Sequence, residues 1–314
     1  WWAWPSIHEP PSSWLLRAVA LQSIAEQQWQ RLRDCAGRAG VTIFGDLPLY
    51  VDHASADVWA HPNAFLLDEK GRMLAQAGVP PDAFSETGQL WRMPLYNWPH
   101  MKENNYRWWR QRLIAARRWF DLIRIDHFRG LAAYWASPGN ATDARSGSWE
   151  QGPGTALLDA VGTDGMVAED LGLIDESVRQ LRDRHNLPGM HVLQFADPMD
   201  PHSPHHPSNH QRAGVAYVGT HDNPTALSWW YGLSHAERKD RHKAFGWAAP
   251  GDLLESLWCS PACLRVATAQ DLLQLDDSAR TNRPGTASGN WRWRLDSASN
   301  DALARRLVSS TTGR

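Results

Sequence analysis

Six short apolar runs recur along this 314-residue chain, at 41–51, 122–126, 166–169, 190–195, 215–222 and 264–271. Between them lie stretches with apolar residues at helical spacing, notably 22–39, which stops at Gly40, then 102–120 and 174–185, where Asp175 is a suitable N-cap. Pro224 suits the first turn of a further helix. Short buried strands alternating with helices specify a parallel sheet covered on both faces, and a barrel is the closed form of such a sheet. An eight-stranded barrel needs two strands more than these six. The chain also opens on W-W-A-W-P with no Met, so the expectation is an N-terminally truncated (β/α)8 barrel, as one domain over 1–314. Residues 52–100 and 136–156, rich in Gly, Pro and Ser, are expected to be long lid or insert loops.

Three of the runs end on an acidic residue: Asp126 in R-I-D-H-F-R-G, Glu169 in M-V-A-E-D-L-G and Asp222 in V-G-T-H-D-N. Parallel barrels build their sites from residues at the C-terminal ends of strands. A pair of carboxyl groups flanking a glycosidic bond is the minimum equipment for glycoside chemistry. Arg124 and Asp126 point to the same face of one strand, and a guanidinium there keeps the carboxylate ionised, as a nucleophile requires. Glu169 follows Met166, Val167 and Ala168, an apolar setting that raises a carboxyl pKa and suits a general acid; Asp170 beside it competes for that role. His221 and Asp222 are equipped to hydrogen-bond ring hydroxyls. Asp126 and Glu169 also have a structural reading as half of an ion pair, and the alternative for Asp222 is a metal site that lacks a third ligand nearby.

Composition narrows the alternatives. A net charge of −2 leaves no basic excess for nucleic acid or an anionic membrane, and no apolar stretch approaches the roughly 18 residues of a membrane span. Nothing at the start reads as a signal peptide, and the three cysteines are too few for a disulfide framework, so a cytoplasmic setting is expected. Cys259 and Cys263 read as small buried residues. The tract H-S-P-H-H-P-S-N-H (202–210) reads as a surface loop rather than a metal site. Nineteen tryptophans offer flat surfaces for sugar rings, though a little over half are expected to be packing residues.

The motifs G-D-L-P-L-Y-V (45–51), S-A-D-V-W (55–59), G-V-P-P-D-A-F-S-E-T-G-Q-L-W (78–91), R-I-D-H-F-R-G (124–130), A-E-D-L-G (168–172), G-T-H-D-N (219–223) and R-P-G-T-A-S-G-N-W-R-W-R (283–294) resemble, in order, those of the 4-α-glucanotransferases (amylomaltases) of glycoside hydrolase family 77. The resemblance implies a barrel of the α-amylase clan that moves α-1,4-glucan segments between maltooligosaccharides through a covalent glucosyl–enzyme. It implies Asp126 as nucleophile, Glu169 as acid/base and Asp222 as the third carboxylate, with Arg124 orienting the nucleophile. Asp46, His127, His221, Asn223, Gln89 and Trp91 would contact substrate, the last two in a lid over 78–98. No cofactor or metal is called for. The expected partners are α-1,4-glucans, with neither nucleic acid nor membrane.

Two departures stand out. The family's W-G-N-P-L-Y is here W-R-M-P-L-Y (91–96), which puts bulky residues in the lid, and its R-M-N-x-P-G is R-T-N-R-P-G (280–285). The section carrying the first two barrel strands is expected to lie outside this chain, leaving it weakly stable or weakly active by itself. The competing readings are an α-glucan hydrolase of the amylase clan and a catalytically impaired glucan-binding fragment.

Overall fold

The computed structural model describes residues 12–81, 85–286 and 288–312. They divide into two compact units, one ending at Leu187 and one beginning at Pro188.

The first unit is built on a parallel sheet of β1 (Phe44–Leu47), β4 (Leu122–Ile125) and β7 (Met166–Ala168), in the order β1-β4-β7. Its register places Asp46 opposite Arg124, Leu47 opposite Ile125, and Ile125 opposite Ala168. The ladder runs one residue further, with the Asp126 amide donating to Leu47 O (3.0 Å) and the Glu169 amide to Ile125 O (3.1 Å). Asp126 and Glu169 are therefore delivered side by side, one step past the ends of adjacent strands.

The expected loops are largely ordered. β2 (Ala75–Val79), β3 (Gln89–Pro94), β5 (Ala133–Pro138) and β6 (Ser148–Gln151) make an antiparallel sheet in the order β3-β2-β5-β6. The register shifts between Gln76 and Gly78, where a Cβ on Gly78 would sit 2.2 Å from Gln89 O. These strands are hard to foresee because runs such as A-Q-A-G-V are short and poor in β-branched residues.

Helices α1 (Ser12–Arg38), α2 (Ala56–Ala60), α3 (Trp98–Glu103), α4 (Arg107–Trp119), α5 (Arg129–Ala132), α6 (Gly154–Val161) and α7 (Glu176–Arg184) complete this unit. The helix expected over 102–120 is two helices, because Asn105 and Tyr106 adopt left-handed backbone (φ 54° and 51°), which cannot continue a right-handed helix. Asp175 caps α7 as expected, accepting from the Ser177 and Val178 amides. α4 turns Trp108, Trp109 and Leu113 inward onto Phe65, Tyr96 and Trp98. Arg112, on the same helix, donates to Leu49 O (3.0 Å) and Pro48 O (2.6 Å), and Tyr96 Oη also donates to Leu49 O (2.6 Å). The segment after β1 is thereby pinned to the aromatic core.

The second unit carries a parallel sheet in the order β10-β9-β8, from β8 (Met190–Val192), β9 (Val215–Tyr217) and β10 (Leu264–Val266). The strands are shorter than the apolar runs. Residues 193–195 form a 3₁₀ turn, and Thr268 ends the last run by capping α11 (Ala269–Leu273) through the Asp271 amide. α8 (Ala226–Gly232) starts at its cap Thr225, so Pro224 precedes the helix rather than lying in its first turn. α9 (His235–Phe245) has a full capping box, Ser234 with Glu237, and ends on Gly246 at φ 78°. α10 (Gly251–Cys259) and α12 (Ser297–Thr312) complete the unit. Cys259 and Cys263 are exposed rather than buried. The His-rich tract is not a simple surface loop: His210 is buried, its ring stacked on His191 at 4.7 Å. Among the described residues no cluster of His, Cys, Asp and Glu is spaced to hold a metal ion, and no helix is long and apolar enough to cross a membrane.

Gly45, in the middle of β1, faces Phe120 so closely that a Cβ there would lie 2.2 Å from the ring. Gly45→Ala is expected to destabilise the protein by about 1–3 kcal/mol through overpacking. Denaturant unfolding should show that loss, and pairing Gly45→Ala with Phe120→Leu should recover part of it.

Candidate functional site

Arg124 organises the end of the first unit's sheet. Its side chain is about 10% exposed, and its two terminal nitrogens reach Asp46 Oδ2 at 2.6 Å and Asp126 Oδ1 at 2.9 Å. Strand geometry produces this arrangement: Asp46 is its cross-strand partner and Asp126 lies two residues on, so all three project from one face. Burial opposes the guanidinium charge. Asp126, Asp46 and Glu169 outweigh it and push the Arg124 pKa above the ordinary arginine value.

Glu169 is in the opposite situation. Burial raises its pKa to about 7, against the Arg124 charge, with the Asp126 charge raising it further. Two amides oppose the rise: His127 N–H donates to Oε2 (2.7 Å) and Leu171 N–H to Oε1 (2.9 Å). The carboxyl is thus fixed in orientation and set to exchange a proton near neutrality. Asp170 is not its rival. Its side chain is 6% exposed and paired to Arg182 at 2.5 Å, a structural ion pair.

His127 makes its amide available through a left-handed backbone (φ 51°). The imidazole packs edge-on against Trp91 (4.8 Å) and beside Tyr50 (6.2 Å), and its Nε2 is buried with no hydrogen-bond partner. Burial lowers its pKa to about 4, with the nearby Arg129 charge in the same direction, so the ring is neutral near pH 7. Trp91 donates to Gln89 Oε1 (3.3 Å), both on β3. Arg92 stands where the resemblance places a glycine, and its φ of 57° is a conformation glycine adopts freely. Met93 packs against the core. The expected lid is therefore in part a strand whose aromatic residue walls His127; residues 82–84 of that segment, and Ala287 of the 283–294 motif, lie outside the described residues.

His221, Asp222 and Asn223 belong to the second unit and lie in the turn after β9. Asn223 Oδ1 accepts from the Thr220 amide and hydroxyl, both at 2.9 Å, which closes the turn. Asp222 Oδ1 accepts from Asn282 Nδ2 at 2.6 Å and lies 3.5 Å from His221 Nε2, while Arg280 donates to Asp222 O at 2.5 Å. His221 also lies 5.2 Å from the Trp291 ring. Arg280 and Asn282 are visible in R-T-N-R-P-G, but no sequence rule ties them to Asp222.

A salt-bridged carboxylate beside a carboxyl whose pKa is raised to about 7, at adjacent ends of a parallel sheet, is chemically equipped for two-acid work on a glycosidic bond. The family model described as 4-alpha-glucanotransferase, glycoside hydrolase family 77, matches residues 11–299, and the chain belongs to that family. It is 43% identical over 322 residues to the chloroplastic/amyloplastic 4-alpha-glucanotransferase of Oryza sativa subsp. japonica, covering 95% of this chain and 54% of that protein. It is 44% identical over 285 residues to the 4-alpha-glucanotransferase of Thermus thermophilus, covering 86% and 57%. The chain thus spans little more than half the length of these curated relatives. The amylomaltase from Streptococcus agalactiae in complex with acarbose superposes with a TM-score of 0.86 at 34% identity, over 91% of this chain and 60% of that one. The fold is the TIM-barrel-like α/β fold of the α-amylase clan.

Replacing His127 should show whether its backbone tunes Glu169. Asn tolerates left-handed backbone and a β-branched Val does not. In His127→Asn the Glu169 carboxyl is expected to titrate close to pH 7 by ¹³C NMR. In His127→Val, with the amide turned away, its pKa should move upward, because that amide stabilises the carboxylate.

Proposed function

We propose that the protein is a retaining 4-α-glucanotransferase that moves α-1,4-glucan segments between maltooligosaccharides. The observation that carries the reading is the pairing of Asp126, held by Arg124, with Glu169, whose pKa is about 7, on adjacent strand ends in register. Neighbouring strands run about 4.8 Å apart, which suits the short carboxyl separation, about 5–5.5 Å, of a retaining mechanism.

In the first step Asp126 attacks the anomeric carbon while protonated Glu169 donates its proton to the glycosidic oxygen, and the reducing-end fragment leaves. The 4-hydroxyl of a second glucan then gives its proton to Glu169 and displaces Asp126, restoring the original configuration and both carboxyl groups. Arg124 holds Asp126 in line. Asp222, on the second unit, takes ring hydroxyls of the distorted sugar, oriented by Asn282 and Arg280. Asp46, His127, His221, Asn223, Gln89 and Trp91 contact substrate. The apolar wall of Trp91, Tyr50 and neutral His127 beside Glu169 disfavours water as acceptor, which supports transfer over hydrolysis.

The family match and the amylomaltase likeness both extend across the two units. We therefore take 1–314 as one catalytic barrel in which 52–100 and 136–156 are inserts, acting on α-1,4-glucans; the cytoplasmic setting we infer rests on the small number of cysteines, three in the chain.

Incubation with maltotriose is expected to yield glucose together with maltopentaose and longer chains, with Asp126→Asn inert. Glucose and maltose alone would mark a hydrolase. Because Glu169 must begin protonated, kcat/KM should fall as pH rises through about 7. Glu169→Gln should remove that limb and lower kcat by roughly 10²–10⁴-fold.

A further inference from the structure

One hollow in the first unit is lined by none of the catalytic or substrate-contacting residues. It has a volume of about 400 Å³ and lies between the turn Pro62–Ala64, α3 with its C-cap Asn104, and the start of α4; a second hollow of about 300 Å³ shares Pro62, Asn63 and His100 with it. Ligand sites occupy roughly 300–1,000 Å³. Trp108 lines the larger hollow, and from there a file of rings leads to the catalytic end: Trp108 to Tyr96 at 5.5 Å, Tyr96 to Tyr50 at 5.9 Å, Tyr50 to Trp91 at 6.0 Å and Trp91 to His127 at 4.8 Å. The groove is thus separated from Glu169 by packed aromatic side chains and is rooted in the same core.

Its lining selects among ligands. Asn63, Asn104 and Gln111 carry neutral amides, and His61 and His100 carry imidazoles, so each offers both hydrogen-bond donors and acceptors. A sugar hydroxyl, itself donor and acceptor, matches such groups. Ala60, Pro62 and Ala64 add apolar surface for sugar C–H faces. A phosphate would want more than the single guanidinium, Arg107. A cation would want carboxylates, and the larger hollow has none in its lining; Asp68, in the smaller, is already engaged by Arg72 at 2.7 Å.

We propose that this groove is a second binding site for α-1,4-glucan, resting on the glucanotransferase reading of the catalytic end. A long glucan held there is anchored to the protein while another stretch enters the catalytic site, which raises the effective concentration of chain ends. A trisaccharide, too short to engage both, gains nothing from it.

Two variants test the groove without touching the catalytic residues: Asn63→Ala with Gln111→Ala, both exposed side chains, and Ala60→Trp, which fills the hollow. Calorimetric titration of the Asp126→Asn protein with maltoheptaose is expected to show two sites, reduced to one by either groove variant. In otherwise wild-type protein, the same changes should raise KM for amylose by about 3–10-fold and leave turnover of maltotriose unchanged. A single maltoheptaose site in the parent, or two sites that survive both variants, would overturn the proposal. If wild-type protein leaves maltotriose untouched while the groove variants still remove one maltoheptaose site, the catalytic reading falls and the groove stands.

Discussion

The pairing of one buried guanidinium with Asp46 and Asp126 is the constraint on which the rest of the site depends. Arg124 sits at the centre strand of a three-stranded parallel sheet with little access to water. A buried cation is tolerated only when its partners are close and well placed; loss of one partner from such a cluster typically destabilises by several kcal/mol. Here the partners come from the register itself, one across the strand pair and one two residues along. The same cation keeps Asp126 as a positioned carboxylate. It also restrains a third acid, Glu169, whose burial would otherwise drive its pKa higher still. One guanidinium thus positions Asp126 through an ion pair and tempers, without cancelling, the burial that raises the Glu169 pKa to about 7.

The backbone adds a second layer of control. The sheet ends where Asp126 and Glu169 emerge, and the chain turns at once into left-handed conformation at His127. That turn directs an amide at Glu169 and places a neutral imidazole against Trp91. The strain of a non-glycine residue at positive φ, of order 1–3 kcal/mol, is offset by this packing and hydrogen bonding. On the second unit, the Asp222 carboxylate is faced by the side-chain amide of Asn282 and the imidazole of His221, while the Arg280 guanidinium is turned to its backbone carbonyl. These surroundings favour hydrogen bonding to neutral hydroxyls over covalent attack, in keeping with the role proposed for it.

Much of this was legible from the residues. Among the described residues the six parallel strands all lie inside their apolar runs; β4, β7, β8 and β9 are largely buried, and buried parallel strands are nearly continuous in hydrophobic residues. The acids Asp126 and Glu169, and the Arg124–Asp126 pair, followed from strand periodicity alone. What stayed hidden depended on long-range contacts. The Asp46–Arg124 ion pair required the register between strands 78 residues apart. The antiparallel sheet is made of short segments whose pairing is set by Gly78 and by partners about 60 residues away, with little local pattern. The break at Asn105 and Tyr106 overrode helical spacing that runs through it. Asn282 and Arg280 were legible as a polar motif, but their contacts with Asp222, across 60 and 58 positions, exist only in the fold.

The central claim is that Asp126, held by Arg124, becomes covalently joined to the glucan while Glu169 manages the proton. Glu169→Gln protein given α-maltotriosyl fluoride tests it directly, since fluoride leaves without an acid and the glycosyl ester has no base to resolve it. Mass spectrometry of the digested protein should find the maltotriosyl mass on the peptide bearing Asp126, and nowhere in the protein when Asp126 is replaced by Asn. A modified peptide that lacks Asp126, or rapid release of an inverted sugar with no adduct, would contradict the account.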